Sequence, residues 1–294
     1  MSYVITGATG HLGRHVVETL LARGVGPAEI VATGRDQGRL ADLAGLGVRT
    51  QASDNDDVDS LRGLIGRGDK VLLVSGPELG HRIGQHRNVI DAARAAGAAL
   101  LAYTSIAHAD RLDILLAADH QATEKLLAGS GLAYALLRND LYLDLYAGQL
   151  PVALAQGAVV GSAGEGRLSA ALRAELAEAA AAVLLLEDGA GVYELGGDEA
   201  FSLAELAATF AQVGNRPIVY RDLPVAQYAQ VLVGAGLPAP VAEILADAHR
   251  SIANDDLLVT SGDLSRLIGR PTATLGEVVR ATGRPAGESS RVRA

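Results

Sequence analysis

Cysteine is absent from this sequence of 294 residues. The absence excludes disulfides, thiolate catalysis, iron–sulfur clusters and zinc–cysteine sites, and it fits a reducing cytoplasm. Basic residues are also fewer than acidic ones: the chain has 25 lysines and arginines and 34 aspartates and glutamates, which gives a net charge of −9. Non-specific binding of nucleic acid needs a basic surface, so we expect no nucleic-acid partner.

Long apolar runs are missing as well. The most apolar stretch, 179–186, is far shorter than the ~20 residues that a bilayer-spanning helix needs. The first ten residues contain a glycine-rich turn in place of the charged and apolar regions of an export signal. We therefore expect a cytoplasmic protein with no membrane partner. The histidines lack metal-ligand spacing, so we predict no metal site.

Residues 1–147 alternate short apolar runs with segments whose apolar residues recur at helical spacing. Hydrophobic residues make up 49% of the chain, enough for a full core. The predicted strands are 3–6, 30–33, 48–52, 71–75, 100–105 and 134–138. Strands that alternate with helices indicate an α/β fold, a doubly wound parallel Rossmann sheet with its ligand crevice at the carboxyl ends of the strands.

Residues 148–294 follow a looser, more helical pattern. They predict a smaller, mostly helical C-terminal lobe on the substrate side, with one strand near 192–196 that rejoins the Rossmann sheet. A helix is predicted over 172–186, and Ser202 with Glu205 forms a capping box that begins another. Two or three further helices are expected up to about residue 282, and 283–294 is predicted to be a frayed tail.

The glycines of the first turn are the strongest chemical signal. Gly7, Gly10 and Gly13 lie between the first predicted strand and the first predicted helix. In this context Gly7 permits the tight turn, Gly10 lets the backbone approach a pyrophosphate, and Gly13 allows the helix to pack closely on the strand. The helix N-terminus supplies N–H donors for the phosphates. The alternative is a flexible turn, but the context favours a dinucleotide site.

Arg35 follows the second predicted strand, where an NAD site usually has an acidic residue. A guanidinium matches a ribose 2′-phosphate in charge and geometry. The position therefore predicts NADPH/NADP as the cofactor, with NADH as the less favoured alternative. Asp36 either contacts the ribose or caps the next helix, and Arg35 could also be an ordinary surface arginine.

Several further motifs resemble one known family. They are 85–93 (QHRNVIDAA), 102–105 (AYTS), 120–125 (HQATEK), 136–139 (LLRN) and 267–272 (LIGRPT). Together with the glycine loop and Arg35 they are similar to the NmrA-like atypical short-chain dehydrogenases/reductases, and within these to the type 2 NAD(P)H:quinone oxidoreductases. The likeness extends from residue 3 to about residue 275.

The resemblance implies an NADPH-binding Rossmann lobe, a small second lobe and a quinone pocket between them. By the resemblance, cofactor contacts fall on Gly7, Ala8, Thr9, Gly10, His11, Leu12, Arg35, Ser75, Gly76, Pro77, Asn139, Asp140, Leu141 and Tyr142. Tyr103 is added because it lies near the carboxyl end of a predicted strand, where such folds bind ligands. Tyr142 and Tyr146 are one helical turn apart, and they either wall the quinone pocket or belong to the core.

The catalytic residues are less well defined. Ordinary short-chain dehydrogenases use Ser, Tyr and Lys, and Ser105 and Lys125 occupy plausible places for the serine and the lysine. Gln121 stands four residues before Lys125, where the acid–base tyrosine would be. The tentative catalytic set is Ser105, Lys125 and His120, each of which could instead be structural. A missing phenol favours acceptors such as quinones, whose reduction produces a delocalised anion that water can protonate.

Three functions compete at this point. The first is an NADPH-dependent oxidoreductase that transfers hydride to quinones or similar conjugated acceptors, a small-molecule substrate class. The second is a sensor that binds NADP(H) and regulates a protein partner without turnover, and the third is a reductase of another conjugated substrate such as a triarylmethane dye. The sequence assigns no oligomeric state.

Overall fold

The computed structural model describes residues 1–76, 78 and 80–283. The strands are β1 (Tyr3–Ile5), β2 (Ile30–Gly34), β3 (Arg49–Ala52), β4 (Lys70–Leu73), β5 (Leu100–Ile106), β6 (Tyr134–Asn139), β7 (Ala158–Gly161), β8 (Arg167–Leu168), β9 (Gly191–Leu195), β10 (Phe201–Ser202) and β11 (Val219–Asp222). The helices are α1 (His11–Ala22), α2 (Gln37–Ala44), α3 (Val58–Leu61), α4 (Arg82–Ala96), α5 (Leu115–Ala128), α6 (Leu143–Ala147), α7 (Leu150–Gln156), α8 (Arg173–Leu185), α9 (Leu203–Gly214), α10 (Val225–Gly234), α11 (Ala239–Ala253), α12 (Asp263–Ile268) and α13 (Leu275–Thr282).

Seven strands form the central sheet, in the order β3-β2-β1-β4-β5-β6-β9. Every pairing in it is parallel, and Val4 of β1, for example, lies between Val31 and Val71. Such strands are buried on both faces, which explains why they read as continuous apolar runs. The predicted doubly wound Rossmann sheet is confirmed.

Helices cover both faces of this sheet. On one face the apolar residues of α1 and α8 meet the side chains of β1, with Val16 and Leu176 both fully buried. On the other face α4 and α5 pack through residues such as Val89 and Leu127. The two apolar layers hold the carboxyl ends of the strands at one edge, where the crevice forms.

The second lobe has an apolar core of its own, built around Phe210, Leu206 and Ile252. Two small sheets brace it, an antiparallel pair of β8 with β10 and a parallel pair of β7 with β11. The capping box is present, because the Glu205 carboxylate accepts from the Ser202 N–H at 2.8 Å and the Ser202 hydroxyl accepts from the Glu205 N–H at 3.2 Å. Four helices follow α9 within residues 215–283, so the expectation of two or three was too low. The mostly helical character is confirmed.

Two elements of the second half belong to the central sheet. Helix α8 packs along α1, and β9 pairs with β6 from Ala135 opposite Gly191 to Asn139 opposite Leu195. The division of the chain at residue 147 stays a prediction, and of the predicted tail residues 284–294 lie outside the described part. Among the described residues, no helix is long and apolar enough to cross a membrane.

Helix α1 approaches the turn before it very closely. Gly7 has a φ of +64°, which favours glycine, and the Gly10 N–H donates to the Gly7 carbonyl at 2.9 Å. A Cβ on Gly13 would lie 2.5 Å from the Gly7 carbonyl oxygen and 2.8 Å from the Ala8 Cα. The three glycines therefore permit one compact strand–turn–helix junction.

We expect Gly13→Ala to destabilise the fold by roughly 1–3 kcal/mol, because the added methyl group overlaps backbone that cannot move freely. The measurement is the free energy of unfolding from urea denaturation. Gly84→Ala is the matched control, since nothing lies within 4 Å of a Cβ at that helical position, and it should stabilise by up to about 1 kcal/mol. Equal effects of the two substitutions would contradict the close contact.

Candidate active site

A polar cleft of about 360 Å³ lies at the carboxyl ends of β1, β2 and β4. Its walls include the glycine turn, Arg35, Arg39, Ser53, Asp54, Asn55, Ser75, Gly76 and Glu78. A Cβ on Gly34 would lie 2.5 Å from the Thr9 Oγ1, so the glycine at the end of β2 gives Thr9 its place in the cleft. The first turn of α1, residues 11–14, carries no acidic side chain, and its N–H groups and dipole favour an anion.

Two arginines line the outer part of the polar cleft. The Arg35 guanidinium pairs with the Glu78 carboxylate at 2.7 Å, and both side chains are solvent-accessible. Their hydrogen bond raises the pKa of Arg35 and lowers the pKa of Glu78. Arg39 donates to the Thr9 carbonyl at 2.9 Å. Asp36 accepts from the Arg39 N–H at 3.0 Å and so caps α2, the second of the two roles considered for it.

A larger apolar cavity of about 740 Å³ lies between the sheet and the second lobe. Its polar wall, at the carboxyl ends of β4 to β6, contains Ser75, Arg82, Ser105, His120, Asn139 and Asp140. Leu141, Tyr142 and Tyr146 continue this wall, and apolar residues of α7, α10 and α11 close the far side. Ser75 lines both the polar cleft and the apolar cavity, so the two spaces adjoin there.

Asn139 and Asp140 are buried polar groups at the junction of the two lobes. The Asn139 Oδ1 has no hydrogen-bond partner among the described residues, an arrangement that calls for an explanation such as a ligand donor. The Asp140 carboxylate accepts from the Ser169 and Leu141 N–H groups at 2.9 and 2.7 Å. Burial raises the pKa of Asp140 to about 7 in spite of these donors.

A buried ion cluster lies beneath the polar wall. Arg138 contacts the carboxylates of Glu124, Asp110 and Glu194 at 2.8, 2.8 and 2.9 Å. The Ser105 hydroxyl donates to Glu124 at 2.6 Å. Ser105 lines the apolar cavity, but its proton is committed to the ion cluster, and its catalytic role stays a prediction.

His120 reaches the apolar cavity with Tyr103 behind it. Its Nδ1 lies 2.8 Å from the Tyr103 hydroxyl. Burial lowers the pKa of His120 to about 3, so the ring is neutral at physiological pH. His120 can offer a hydrogen bond to a molecule in the cavity, but it carries no charge.

Five of the predicted site residues line neither the polar cleft nor the apolar cavity. Tyr103 is fully buried, and its hydroxyl contacts His120. Lys125 is exposed on α5 and also lines neither space. The Gln121 amide donates to the Ala109 and Leu112 carbonyls. His11 is exposed at the start of α1, Ala8 and Leu12 are buried, and Pro77 lies outside the described residues.

Tyr142, which precedes α6, and Tyr146 within α6 differ in which of the two alternatives they follow. Tyr142 stacks under the Arg173 guanidinium at 4.5 Å and faces the apolar cavity. Tyr146 is buried edge-on against Phe201, with the ring centroids 5.8 Å apart, and it also contributes to the cavity wall, so it belongs to both the core and the wall.

Sequence reasoning missed Arg39, Arg82 and the pair Tyr228 and His249 of α10 and α11. Of these residues, only Arg39 could have been indicated by the local sequence, because it lies four residues after Arg35.

A Rossmann sheet with a glycine turn at a helix N-terminus and an adjoining apolar cavity is typical of a nucleotide-dependent class of protein. Residues 7–185 match the model of a family described as NAD(P)H-binding, and the chain belongs to that family. Quinone oxidoreductase 2 of Escherichia coli strain K12 is 42% identical over 94% of this chain and 96% of that protein.

Two solved structures extend the comparison. The NADPH complex of an NADPH-dependent quinone oxidoreductase from Escherichia coli has a TM-score of 0.92 at 42% identity, covering 96% of this chain and 100% of that one. The NADP(H) complex of triphenylmethane reductase from Citrobacter sp. has a TM-score of 0.90 at 35% identity, with the same coverage. The resemblance to NmrA-like reductases drawn from the motifs is confirmed.

We expect Arg35→Ala to weaken the binding of NADPH roughly tenfold, because charged hydrogen bonds to a 2′-phosphate are lost. NADH lacks that phosphate, so its affinity should hardly change. The measurement is the dissociation constant of each nucleotide, with Arg62→Ala as an exposed arginine control outside the cleft. Equal weakening of NADPH and NADH would contradict the assignment of Arg35.

Glu78→Gln should act in the opposite direction, tightening NADPH by up to about fivefold, the range of one exposed ion pair. The Glu78 carboxylate competes with a phosphate for Arg35, and the amide does not. Asp59→Asn removes a similar exposed pair with Arg62, at 2.8 Å, and should leave NADPH affinity unchanged. An unchanged NADPH affinity in the Glu78 variant would show that the ion pair does not oppose binding.

Proposed function

We propose that this protein transfers hydride from NADPH to quinones or similarly conjugated acceptors. The observation that carries the proposal is the junction of the polar cleft and the apolar cavity at Ser75. The polar cleft would hold the dinucleotide, and the adjoining cavity offers a mostly apolar wall to a conjugated ring system.

The residues present fit the nucleotide. The N-terminus of α1 presents N–H groups and no acidic side chain at the glycine turn, which suits a pyrophosphate. Arg35 supplies charge for a 2′-phosphate, and the Asn139 Oδ1, which has no hydrogen-bond partner in the described part of the chain, offers an acceptor to an amide N–H. When bound, the reduced nicotinamide supplies the hydride.

The acid–base groups of the cavity limit the acceptor. Gln121 holds the position of the missing phenol, and its amide is engaged by backbone carbonyls. Ser105 is committed to Glu124, and His120 is neutral. Of these three groups, only His120 can offer its N–H to a developing oxyanion, and none of them is a strong general acid, which favours acceptors whose reduced form is a delocalised anion.

The relatives support the same chemistry. The Escherichia coli relative is named a quinone oxidoreductase, and its structure was solved with NADPH. The likeness to triphenylmethane reductase supports a triarylmethane dye as a second acceptor class, since it covers the same 96% of this chain. Both classes are conjugated, largely apolar molecules, the kind of ligand that an apolar cavity holds.

The decisive experiment follows the absorbance of NADPH with the purified chain and with benzoquinone, naphthoquinone or a triarylmethane dye. We expect oxidation that depends on enzyme and acceptor and that is faster with NADPH than with NADH. Tight NADPH binding without any acceptor-dependent oxidation would contradict the proposal and favour the non-catalytic sensor.

Two variants of helix α5 compare the contribution to catalysis of a residue that lines the cavity with that of an exposed residue. His120→Leu removes a cavity hydrogen-bond donor, and it should lower kcat/KM for naphthoquinone by about tenfold. Lys125→Ala changes an exposed side chain and should leave kcat/KM unchanged. The opposite result would return Lys125 to the catalytic set and remove His120.

A further inference from the structure

The far side of the apolar cavity carries a second polar pair. Tyr228 of α10 and His249 of α11 both line the cavity, and each is about nine-tenths buried. Their rings stack with centroids 4.4 Å apart at an angle of 31°. The other residues that α10 and α11 contribute are apolar, for example Leu232 and Ile244.

The hydrogen bonds of His249 fix its tautomer. The Ser162 backbone N–H donates to the His249 Nδ1 at 3.2 Å, so that nitrogen carries no proton. Burial lowers the pKa of His249 to about 4, and the neutral ring therefore has its proton on Nε2. The Nε2 lies 3.4 Å from the Tyr228 hydroxyl, which accepts this long hydrogen bond.

This arrangement leaves the Tyr228 O–H available to donate a hydrogen bond to another group. The described residues provide no acceptor for it, since His249 is a donor in this tautomer. Burial also raises the pKa of Tyr228 to about 12, so the phenol stays protonated. A buried O–H group without an acceptor is unfavourable, and an acceptor on a bound molecule would relieve this cost.

The backbone makes room for the pair. A Cβ on Gly161, the last residue of β7, would lie 3.1 Å from both Cε1 and Nδ1 of His249 and 2.7 Å from Leu203. The glycine therefore allows the imidazole to reach the Ser162 N–H, which orients the ring.

We infer that the Tyr228 hydroxyl donates a hydrogen bond to an oxygen at the far end of the bound acceptor. The inference rests on the proposed function and narrows its substrate class to quinones with a carbonyl oxygen on the side away from the reduced carbonyl. Fused-ring or substituted quinones suit it better than a single ring, because the cavity of about 740 Å³ is in the size range of drug-sized ligands. Tyr228 is then a specificity-determining residue, and His249 positions it.

The test measures binding by calorimetry, with the enzyme saturated with NADP⁺ so that no turnover occurs. Tyr228→Phe should weaken the binding of a methylnaphthoquinone by about five- to fifteenfold, the worth of one neutral hydrogen bond in a buried site. The triarylmethane dye malachite green has no oxygen, and its affinity should change by less than about twofold. The matched control is Tyr193→Phe, because the Tyr193 hydroxyl donates to the Gly189 carbonyl outside the cavity.

A second pair of variants tests the role of His249. His249→Phe keeps the stacking but removes the Nε2–H. It should weaken naphthoquinone binding by part of the factor expected for Tyr228→Phe. His249→Gln retains an N–H donor and should restore affinity toward the wild-type value. A merely structural role would weaken naphthoquinone and dye equally in both variants.

The possible results distinguish this inference from the proposed function. Equal losses for naphthoquinone and dye in Tyr228→Phe, no loss at all, or failure of the wild type to bind naphthoquinone would each overturn it. A chain that binds naphthoquinone through Tyr228 but oxidises no NADPH would support the subsite and contradict only the proposed catalysis.

Discussion

The active-site edge of the sheet depends on the neutralisation of one buried charge. Ser105, Arg138 and Glu194 lie side by side in register on β5, β6 and β9, and Arg138 is nine-tenths buried. A guanidinium in such a place requires carboxylate partners, and removal of Arg138 would leave the largely buried carboxylates of Glu124 and Glu194 without its charge. Its three partners come from α5, from β9 and from the loop after β5. The charge thus ties together the elements that end at the apolar cavity.

The same cluster divides the polar residues of the cavity into two groups. The Ser105 hydroxyl donates its hydrogen bond to Glu124, so Ser105 belongs to the scaffold. Asn139 follows Arg138 directly, and within the described residues its side-chain oxygen at the cavity wall has no hydrogen-bond partner. Neither Ser105 nor the neutral His120 is a strong general acid, which suits hydride acceptors that need little help from a proton donor.

The features that the sequence predicted well are those determined by neighbours along the chain. The strand–turn–helix glycines and Arg35 follow from local spacing, and the parallel sheet follows from buried apolar runs. The place of Tyr103 was not predictable in this way, because the alternation of side chains along β5 decides which face it joins. Tyr228 and His249 meet only when two helices pack, so no spacing along the chain indicates them. The pairing of Glu78 with Arg35 is non-local for the same reason.

The return of the chain to the central sheet has a consequence for biosynthesis. Until β9 (Gly191–Leu195) has emerged from the ribosome, β6 keeps an unpaired edge, and until α8 has emerged one apolar face lacks its cover. An open edge of this kind invites pairing with other chains. Consolidation of the nucleotide-binding half must therefore wait until about two thirds of the chain has been made, and long-range parallel pairing makes that step slow. The interval before β9 emerges is therefore the stage of synthesis at which the edge of β6 is most open to pairing with other chains.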